Sequence, residues 1–275
     1  MKPAAFDYVR AETLSEALEA LHGDAENTRI IAGGMSLVPM LNMRLATPAT
    51  LVDITRIEEL RQIEDTGSEI RVGAAVRQAE LEHWPGLSAA VPLLAKVFPW
   101  IGHMQTRSRG TVCGSIAHSD PSAELPLSLL ALDGSLTLRR RRKTRKVKAR
   151  DFFLGMMSTD VAPEEMITAA HFPKATPGAG YAFAEVARRH GDFAITACAA
   201  VAHPDGAVRL VVGGVADTAR VLEVPAGAGD LGDRLNEFAW ALRARDDLHA
   251  TARYRRDLVR KLGQKTIEEA LSCRV

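Results

Sequence analysis

The chain has 275 residues, with 35 basic against 34 acidic side chains and a net charge of +1. Proteins that coat nucleic acid normally carry a strong positive excess, and only 5% of these residues are aromatic, so nucleic-acid binding by charge or by base stacking is disfavoured. The length predicts about two domains, and the 47% hydrophobic share is that of an ordinary folded protein.

The three cysteines, Cys113, Cys198 and Cys273, are far apart and form no CxxC pair. They exclude a zinc site or iron–sulfur cluster held by four cysteines of this chain, and such a sparse, odd set is typical of a reducing compartment. The N-terminus lacks the apolar stretch of a signal peptide, and no run of 18 apolar residues occurs. We therefore expect a cytoplasmic protein without a membrane span.

The first 55 residues predict helix, strand, glycine turn, helix and strand. A capping box of Thr13 and Glu16 begins the first helix, and the apolar run 29–32 predicts a short buried strand. Ser36 is the predicted N-cap of a helix over 37–45, and a second strand is predicted at 51–54. The segment therefore predicts a compact βαβ-like unit with a parallel strand pair.

The middle of the chain predicts an α+β arrangement. A strand at 69–73, helices at 77–84 and 89–98 and a polar loop over 103–109 come first. Asp120-Pro121 predicts the start of a helix over 122–132, and a strand follows at 135–138. Nine basic residues then lie between Arg139 and Arg150, which indicates a solvated hairpin or, alternatively, a dock for an acidic partner.

A Pro- and Gly-rich segment at 172–180 is the best candidate for a domain boundary. Beyond it, strands are predicted at 181–186, 193–202 and 207–215, with a hairpin at Pro204-Asp205-Gly206, and a helical pattern begins near residue 231. The predicted domains are 1–175, with subdomains at about 1–57 and 58–175, and 176–275.

Two turns are candidates for binding an anion: the first glycine turn (residues 32–36) and the second glycine turn (residues 110–115). Glycine lets the backbone approach a ligand closely, and free amides at the start of a helix attract phosphate. Taken alone, each turn also fits an ordinary loop without a ligand. Neither turn contains GxGxxG or GxxxxGK[ST], so a Rossmann dinucleotide site and a P-loop NTPase are disfavoured.

Three single residues have two readings each. Asp120 is either a ligand-binding side chain or only a helix cap, and Glu124 in the first turn of the same helix suits the helix dipole with or without a ligand. Cys113 is either a reactive thiol or, as is more common, a small buried side chain.

Three segments together resemble a known family. They are RIIAGGMS at 29–36 with LVDI at 51–54, TRSRGTVCGSIAHSDP at 106–121, and RRHGDFA at 188–194. In this order and across nearly the whole chain, they are similar to the FAD-binding medium subunit of molybdenum hydroxylases of the carbon monoxide dehydrogenase and xanthine dehydrogenase type.

The resemblance implies an α+β fold: a two-subdomain FAD-binding domain, followed by a C-terminal domain with a three-stranded antiparallel sheet and a helical bundle. Both glycine turns would bind the diphosphate and ribityl groups of FAD, Asp120 and Glu124 would bond its adenosine or ribityl part, Ile101 would line an apolar channel, and turn 188–193 would lie near the flavin ring. The implied cofactor-binding residues are Arg29, Ile30, Ile31, Ala32, Gly33, Gly34, Met35, Ser36, Ile101, Gly110, Thr111, Cys113, Gly114, Ser115, Asp120 and Glu124.

The family's division of labour implies partners. Electrons would come from a molybdenum–pterin centre on a large subunit, pass through two 2Fe–2S clusters on a small iron–sulfur subunit, and leave through FAD on this chain to an external acceptor. The expected assembly is a dimer of heterotrimers, with no metal and no catalytic side chain on this chain. The family often has a polar residue at Met35 and glycine at Cys113, so the alternative is an assembly subunit of the same fold that has lost FAD.

Overall fold

The N-terminal segment contains the predicted parallel unit. The computed structural model describes residues 1–274. The first elements are β1 (Asp7–Arg10), α1 (Leu14–Gly23), β2 (Thr28–Ile31), α2 (Leu37–Asn42) and β3 (Thr50–Asp53). The strands form a parallel sheet in the order β1-β3-β2, so the predicted pair gains a third strand, β1, at its edge. The apolar side of α1 packs against this sheet.

Local details of this unit differ from the prediction. The Thr13 hydroxyl accepts from the amide of Glu16 as expected, but the Glu16 carboxylate accepts from the amide of Glu12 (2.8 Å) and not from that of Thr13. Strand β2 is only partly buried, because it lies at the edge of the sheet and only Thr28 of its four residues is buried. Ser36 occupies the N-cap position of α2 without a capping side-chain bond, and α2 ends at Asn42 rather than at residue 45.

The middle of the chain builds an antiparallel five-stranded sheet in the order β4-β5-β10-β6-β7. Its elements, with two single 3-10 turns at Glu58–Leu60 and Phe98–Trp100, are β4 (Ile63–Asp65), β5 (Glu69–Gly73), α3 (Gln78–Glu82), α4 (Leu87–Ala90), α5 (Pro92–Val97), α6 (Met104–Arg107), α7 (Val112–His118), α8 (Glu124–Ala131), β6 (Ser135–Arg140), β7 (Lys143–Lys148), α9 (Ala149–Phe152), β8 (Phe153–Gly155), β9 (Ser158–Thr159) and β10 (Met166–Pro173).

Helix α8 begins later than predicted. Its N-cap is Ala123, and the carboxylate of Asp120 instead accepts from the amide of Ser122 (2.8 Å). That bond closes a separate turn ahead of the helix, because an aspartate side chain readily bonds the backbone two residues on. Asp120 is therefore not the helix cap.

The basic segment is a β-hairpin made by β6 and β7, as predicted. Five of its nine basic side chains form ion pairs with carboxylates of this chain, and these five are Arg141, Arg145, Lys146, Lys148 and Arg150. Most of the hairpin's charge is thus balanced internally. Within residues 1–274, Arg139, Arg140, Arg142 and Lys143 have no such partner.

After the linking residues 174–179, the chain forms a second antiparallel sheet and two helices. They are β11 (Gly180–Val186), β12 (Thr196–Ala202), β13 (Val208–Gly213), β14 (Arg220–Val224), α10 (Leu231–Ala241) and α11 (Ala252–Ser272). The three predicted strands are present, and β14 adds a fourth at the edge. Phe193 lies outside β12 in a turn, where it is 71% exposed.

The C-terminal sheet is covered on both faces. Helices α10 and α11 pack on one face, and α5 and α8 of the preceding segment pack on the other. Residues alternate between these faces along a strand, so Ala182 belongs to the α11 side while Tyr181 and Phe183 belong to the large core shared with the first half of the chain. Within residues 1–274, no helix combines the length and the apolar character that crossing a bilayer requires.

Candidate functional site

The two glycine turns touch each other through their backbones. A Cβ atom placed on Gly33 would overlap the carbonyl oxygen of Arg109 and lie 2.7 Å from the Cα atom of Gly110. Only glycine leaves room for this approach. Two segments that are more than 70 residues apart in the sequence therefore form one continuous surface.

The first glycine turn presents a run of unused amides. Within the described chain, the backbone N–H groups of residues 32–37 have no backbone acceptor. Gly34 has a φ of 70°, a conformation that favours glycine and bends the chain from β2 into α2. Adjacent amides at a strand-to-helix bend can donate to a bound anion.

More of the amides in the second glycine turn form hydrogen bonds within the protein than the sequence suggests. It is the start of α7, with the Thr111 hydroxyl as N-cap accepting from the amide of Gly114 (3.1 Å). The amides of Gly110 and Ser115 bond the carbonyls of Thr106 and Thr111. Within residues 1–274, the amides of Thr111 and Cys113 have no backbone acceptor, so these two are the donors that the turn leaves for a ligand.

Several of the expected site residues direct their side chains elsewhere. The Arg29 guanidinium donates to the carbonyl of Glu26 (3.1 Å) in the α1–β2 connection and to that of Thr28 (2.9 Å) at the start of β2. Ile101 is buried in the large core, and its carbonyl accepts from Arg107 (2.8 Å). The Cys113 sulfur lies 3.6 Å from the carbonyl oxygen of Val72 in the core. These residues shape the site through their backbones and their packing.

Cys113 has the features of a structural thiol. Its φ is not positive, so the backbone at this position does not require glycine. Burial raises the pKa of Cys113 to about 12, and burial does the same for Cys198. At neutral pH neither side chain forms the thiolate that reacts.

We expect one thiol of the native chain, Cys273, to react promptly with a thiol reagent, because it is exposed while Cys113 and Cys198 are buried. Titration with Ellman's reagent checks this, with the denatured chain as the reference for three thiols. The Cys273→Ser variant should show almost no fast reaction. Fast modification of two or more thiols in the native chain would contradict the assignment.

Asp120 and Glu124 lie at the start of α8 but in different surroundings. Asp120 lines a large cavity, whereas Glu124 is only 8% exposed. Burial raises the pKa of Glu124 to about 7, and the nearby negative charge of Asp120 adds to the effect. In the chain without a ligand, Glu124 is therefore largely protonated at mildly acidic pH.

The cavity has a volume of about 1140 Å³ and lies between the two halves of the chain. Turn 188–193 forms part of its wall together with Asp120 and Ser122. Gly191, with a φ of 84°, packs so closely on His103 that a Cβ atom would lie 2.6 Å from the imidazole Cε1. His190 stacks on Trp100 with ring centroids 5.6 Å apart, and Phe193 projects at the cavity. The turn is thus held against the loop that precedes the second glycine turn.

Two residues near the site were not identified from the sequence. Gln78 supports the second glycine turn, because its amide donates to the carbonyl of Gly110 (2.8 Å) and its side chain to that of Thr111 (3.4 Å). Glu185 is a buried carboxyl on β11 whose two oxygens have no partner among residues 1–274. The one sequence signal for Glu185 was a glutamate within an otherwise apolar strand, because charged side chains are rarely buried.

Comparison with a protein family gives a match over residues 4–175. The matching family is described as the FAD binding domain in molybdopterin dehydrogenase. The matched residues include both glycine turns, Asp120 and Glu124.

Individual proteins match over most of the chain. The alpha subunit of the 6-hydroxypseudooxynicotine dehydrogenase complex of Paenarthrobacter nicotinovorans is 34% identical, covering 98% of this chain and 96% of that protein. The carbon monoxide dehydrogenase medium chain of Hydrogenophaga pseudoflava is also 34% identical, over 80% of this chain and 78% of that one. A solved carbon monoxide dehydrogenase from Hydrogenophaga pseudoflava that lacks the Mo-pyranopterin moiety superposes with a TM-score of 0.94 at 30% identity and full coverage of both chains. Quinoline 2-oxidoreductase from Pseudomonas putida 86 gives 0.91 at 31% identity, with 99% of each chain covered.

Proposed function

This chain belongs to the family of FAD-binding medium subunits of molybdenum hydroxylases, and on that premise we propose that it passes electrons from iron–sulfur clusters on a partner subunit through FAD to an external acceptor. The observation that best supports this role is the backbone contact between the two glycine turns. Because of that contact, amide donors of both turns would be close enough to bind the same negatively charged diphosphate.

The residues of the chain fit FAD in chemistry. The amides of residues 32–37, with those of Thr111 and Cys113, would hold the diphosphate, and Gly33 lets the two turns lie in contact. Glu124 would bond hydroxyls of the adenosine or ribityl part. Turn 188–193 would adjoin the flavin ring with Phe193 as an apolar contact. When bound, FAD supplies a redox centre that exchanges electrons singly or in pairs, and the protein supplies its position and electrostatic surroundings.

The partner roles follow from the same proposal. A large subunit would hold the molybdenum–pterin centre, a small subunit would hold two 2Fe–2S clusters, and the complex would be a dimer of heterotrimers in the cytoplasm. Residues 1–175 would form the FAD-binding domain and residues 176–275 the C-terminal domain. The change of sheet across residues 174–179 supports this division.

The alternative of a subunit that has lost FAD has little support from its two marker residues. Met35 is 40% exposed, and the Cys113 side chain points into the core. The observations therefore favour a chain that retains its cofactor.

We expect the complex purified with its partner subunits to carry one FAD per copy of this chain. Flavin released by denaturation and identified by its visible absorbance and by chromatography checks the expectation. Riboflavin 5′-phosphate, which lacks the adenosine half and the diphosphate, should not replace FAD in the flavin-free complex. A folded complex that takes up no FAD under any condition would overturn the proposed function and favour the assembly role.

A further inference from the structure

Glu185 is a buried carboxyl for which the chain supplies no hydrogen-bond donor. It is 7% exposed, and neither side-chain oxygen has a partner among residues 1–274. It follows Tyr181 and Phe183 at alternate positions of β11, so its side chain is on the face that packs against α5 and α8. A buried hydrogen-bond acceptor without a donor lowers the stability of the fold. Because nearly all buried polar atoms in proteins have a partner, an unpaired one calls for a physical explanation.

A second buried carboxyl, Glu124, lies at the start of α8, the helix that packs on the same face of the sheet. Glu185 is in register with Ala197, and Ala197 with Gly213, where an added Cβ would meet the carbonyl of Pro121 and the side chain of Leu127. Burial, followed by the negative charge of Glu124, raises the pKa of Glu185 to about 8. The further charged group acting on Glu124 is Asp120, and the one lysine of α5, Lys96, pairs with Glu269 instead. Within residues 1–274, no lysine or arginine forms an ion pair with Glu124 or Glu185. Glu185 thus lacks both a cation and a donor, and Glu124 lacks a cation.

The chain connects each member of the pair directly to a segment of the predicted flavin site. Glu124 opens α8, just after the second glycine turn and α7, and Glu185 is three residues before turn 188–193. A ligand bound between these segments would bring hydroxyl groups to the carboxyls. Resting on the proposed function, we propose that Glu185 is an additional flavin-binding residue that, with Glu124, accepts hydrogen bonds from hydroxyl groups of FAD.

The proposal has a defined pH dependence. Hydroxyl donors stabilise the ionised form of a carboxyl, so FAD binding should lower the pKa values of the pair and release protons. The affinity for FAD should therefore increase as the pH rises towards 8 and level off above it. If the carboxyls instead stayed protonated and donated to FAD, the affinity would fall over the same range.

The flavin-free chain should show the opposite trend in stability. Its folded state has a Glu185 pKa of about 8 against an ordinary value of 4.5, so between these values the folded chain binds more protons than the unfolded chain. The free energy of unfolding then decreases as the pH rises through that window, and the stabilisation is complete only below it.

The decisive variant is Glu185→Leu in the full chain with its partner subunits. Removing an unpaired buried carboxyl should leave the flavin-free form as stable as before or more stable, while the dissociation constant for FAD should increase about 10- to 100-fold. Glu185→Gln, which keeps the shape and loses the charge, should retain folding and flatten the pH dependence of FAD binding. The control is Glu223→Leu on β14 of the same sheet, an exposed position at which both quantities should stay unchanged.

The outcomes separate this inference from the proposed function. Wild-type complex that binds no FAD contradicts the proposed function itself. Wild-type complex that binds FAD, together with a Glu185→Leu variant that binds it equally tightly, overturns the role of Glu185 alone. In a double-mutant cycle, Glu124→Leu and Glu185→Leu should weaken FAD binding by less than the sum of their separate effects, because they contact the same group. Strict additivity would contradict a shared ligand contact.

Discussion

Gly33→Ala should weaken FAD binding by more than about 100-fold, which corresponds to about 2.8 kcal/mol. The single added methyl group would overlap the carbonyl of Arg109 and lie 2.7 Å from the Cα atom of Gly110. Both obstacles are backbone, so the two glycine turns must separate. Their amides would then no longer face a common diphosphate, and each charge-assisted hydrogen bond lost weakens binding by about 1.5–3 kcal/mol. Isothermal titration of the flavin-free complex with FAD measures the effect.

Two other glycines calibrate this result. Gly23 at the end of α1 has no atom within 4 Å of an added Cβ, so Gly23→Ala should bind FAD normally. Gly114→Ala should have an intermediate effect, because its Cβ would meet only the capping hydroxyl of Thr111, at 2.6 Å. Normal FAD affinity in Gly33→Ala would show that the contact between the turns is not part of the binding site.

Arg255→Met should lower the free energy of unfolding by about 1–3 kcal/mol, the range for leaving a buried acceptor without its donor. Arg255 is 5% exposed, and its guanidinium donates to the carbonyls of Ile195 and Gly214 and to the carboxylate of Asp247. The same contact holds the pKa of Asp247 at about 2. Methionine fills similar volume but removes the Arg255 bond to the carbonyl of Gly214, while the carbonyl of Ile195 keeps its bond from the Thr196 hydroxyl.

Chemical denaturation of the full chain measures this loss. Arg253→Met in the same helix, at an exposed position, should stay within about 0.5 kcal/mol of the wild type. Asp247→Asn should lower the free energy of unfolding by less than Arg255→Met does, because it leaves both bonds from Arg255 to the carbonyls in place. Equal stability of Arg255→Met and Arg253→Met would show that the guanidinium does not join the strand ends to the α10–α11 connection.

Much of the fold could be predicted because its elements have strong local signals. The run 29–32, the glycine turn after it and the strand at 51–54 indicate a parallel unit without reference to the rest of the chain. Strand β1 was missed because its four residues are all exposed and show no alternation. The start of α8 was misplaced because an aspartate before proline has the same sequence signal whether it caps a helix or closes a turn of its own.

The site could be predicted less completely, because its parts meet only in three dimensions. The sequence and its family resemblance indicate both glycine turns, but not that Gly33 rests on the backbone of Arg109. Gln78 and Glu185 were missed since each lies in an element whose local pattern fits ordinary structure. Even for predicted residues, the direction of the side chain depends on tertiary packing, as Cys113 and Arg29 illustrate.

The C-terminal sheet, apolar on both faces, has a mechanical consequence. Separating the two halves of the chain would expose to water the core that Tyr181 and Phe183 share with α5 and α8. The free-energy cost would be about 25 cal/mol per Å² of apolar surface exposed. A hinge along this contact is therefore disfavoured. Under the proposed function, a flavin bound between the two halves would have surroundings that do not rearrange, which would keep the reorganisation energy of electron transfer small.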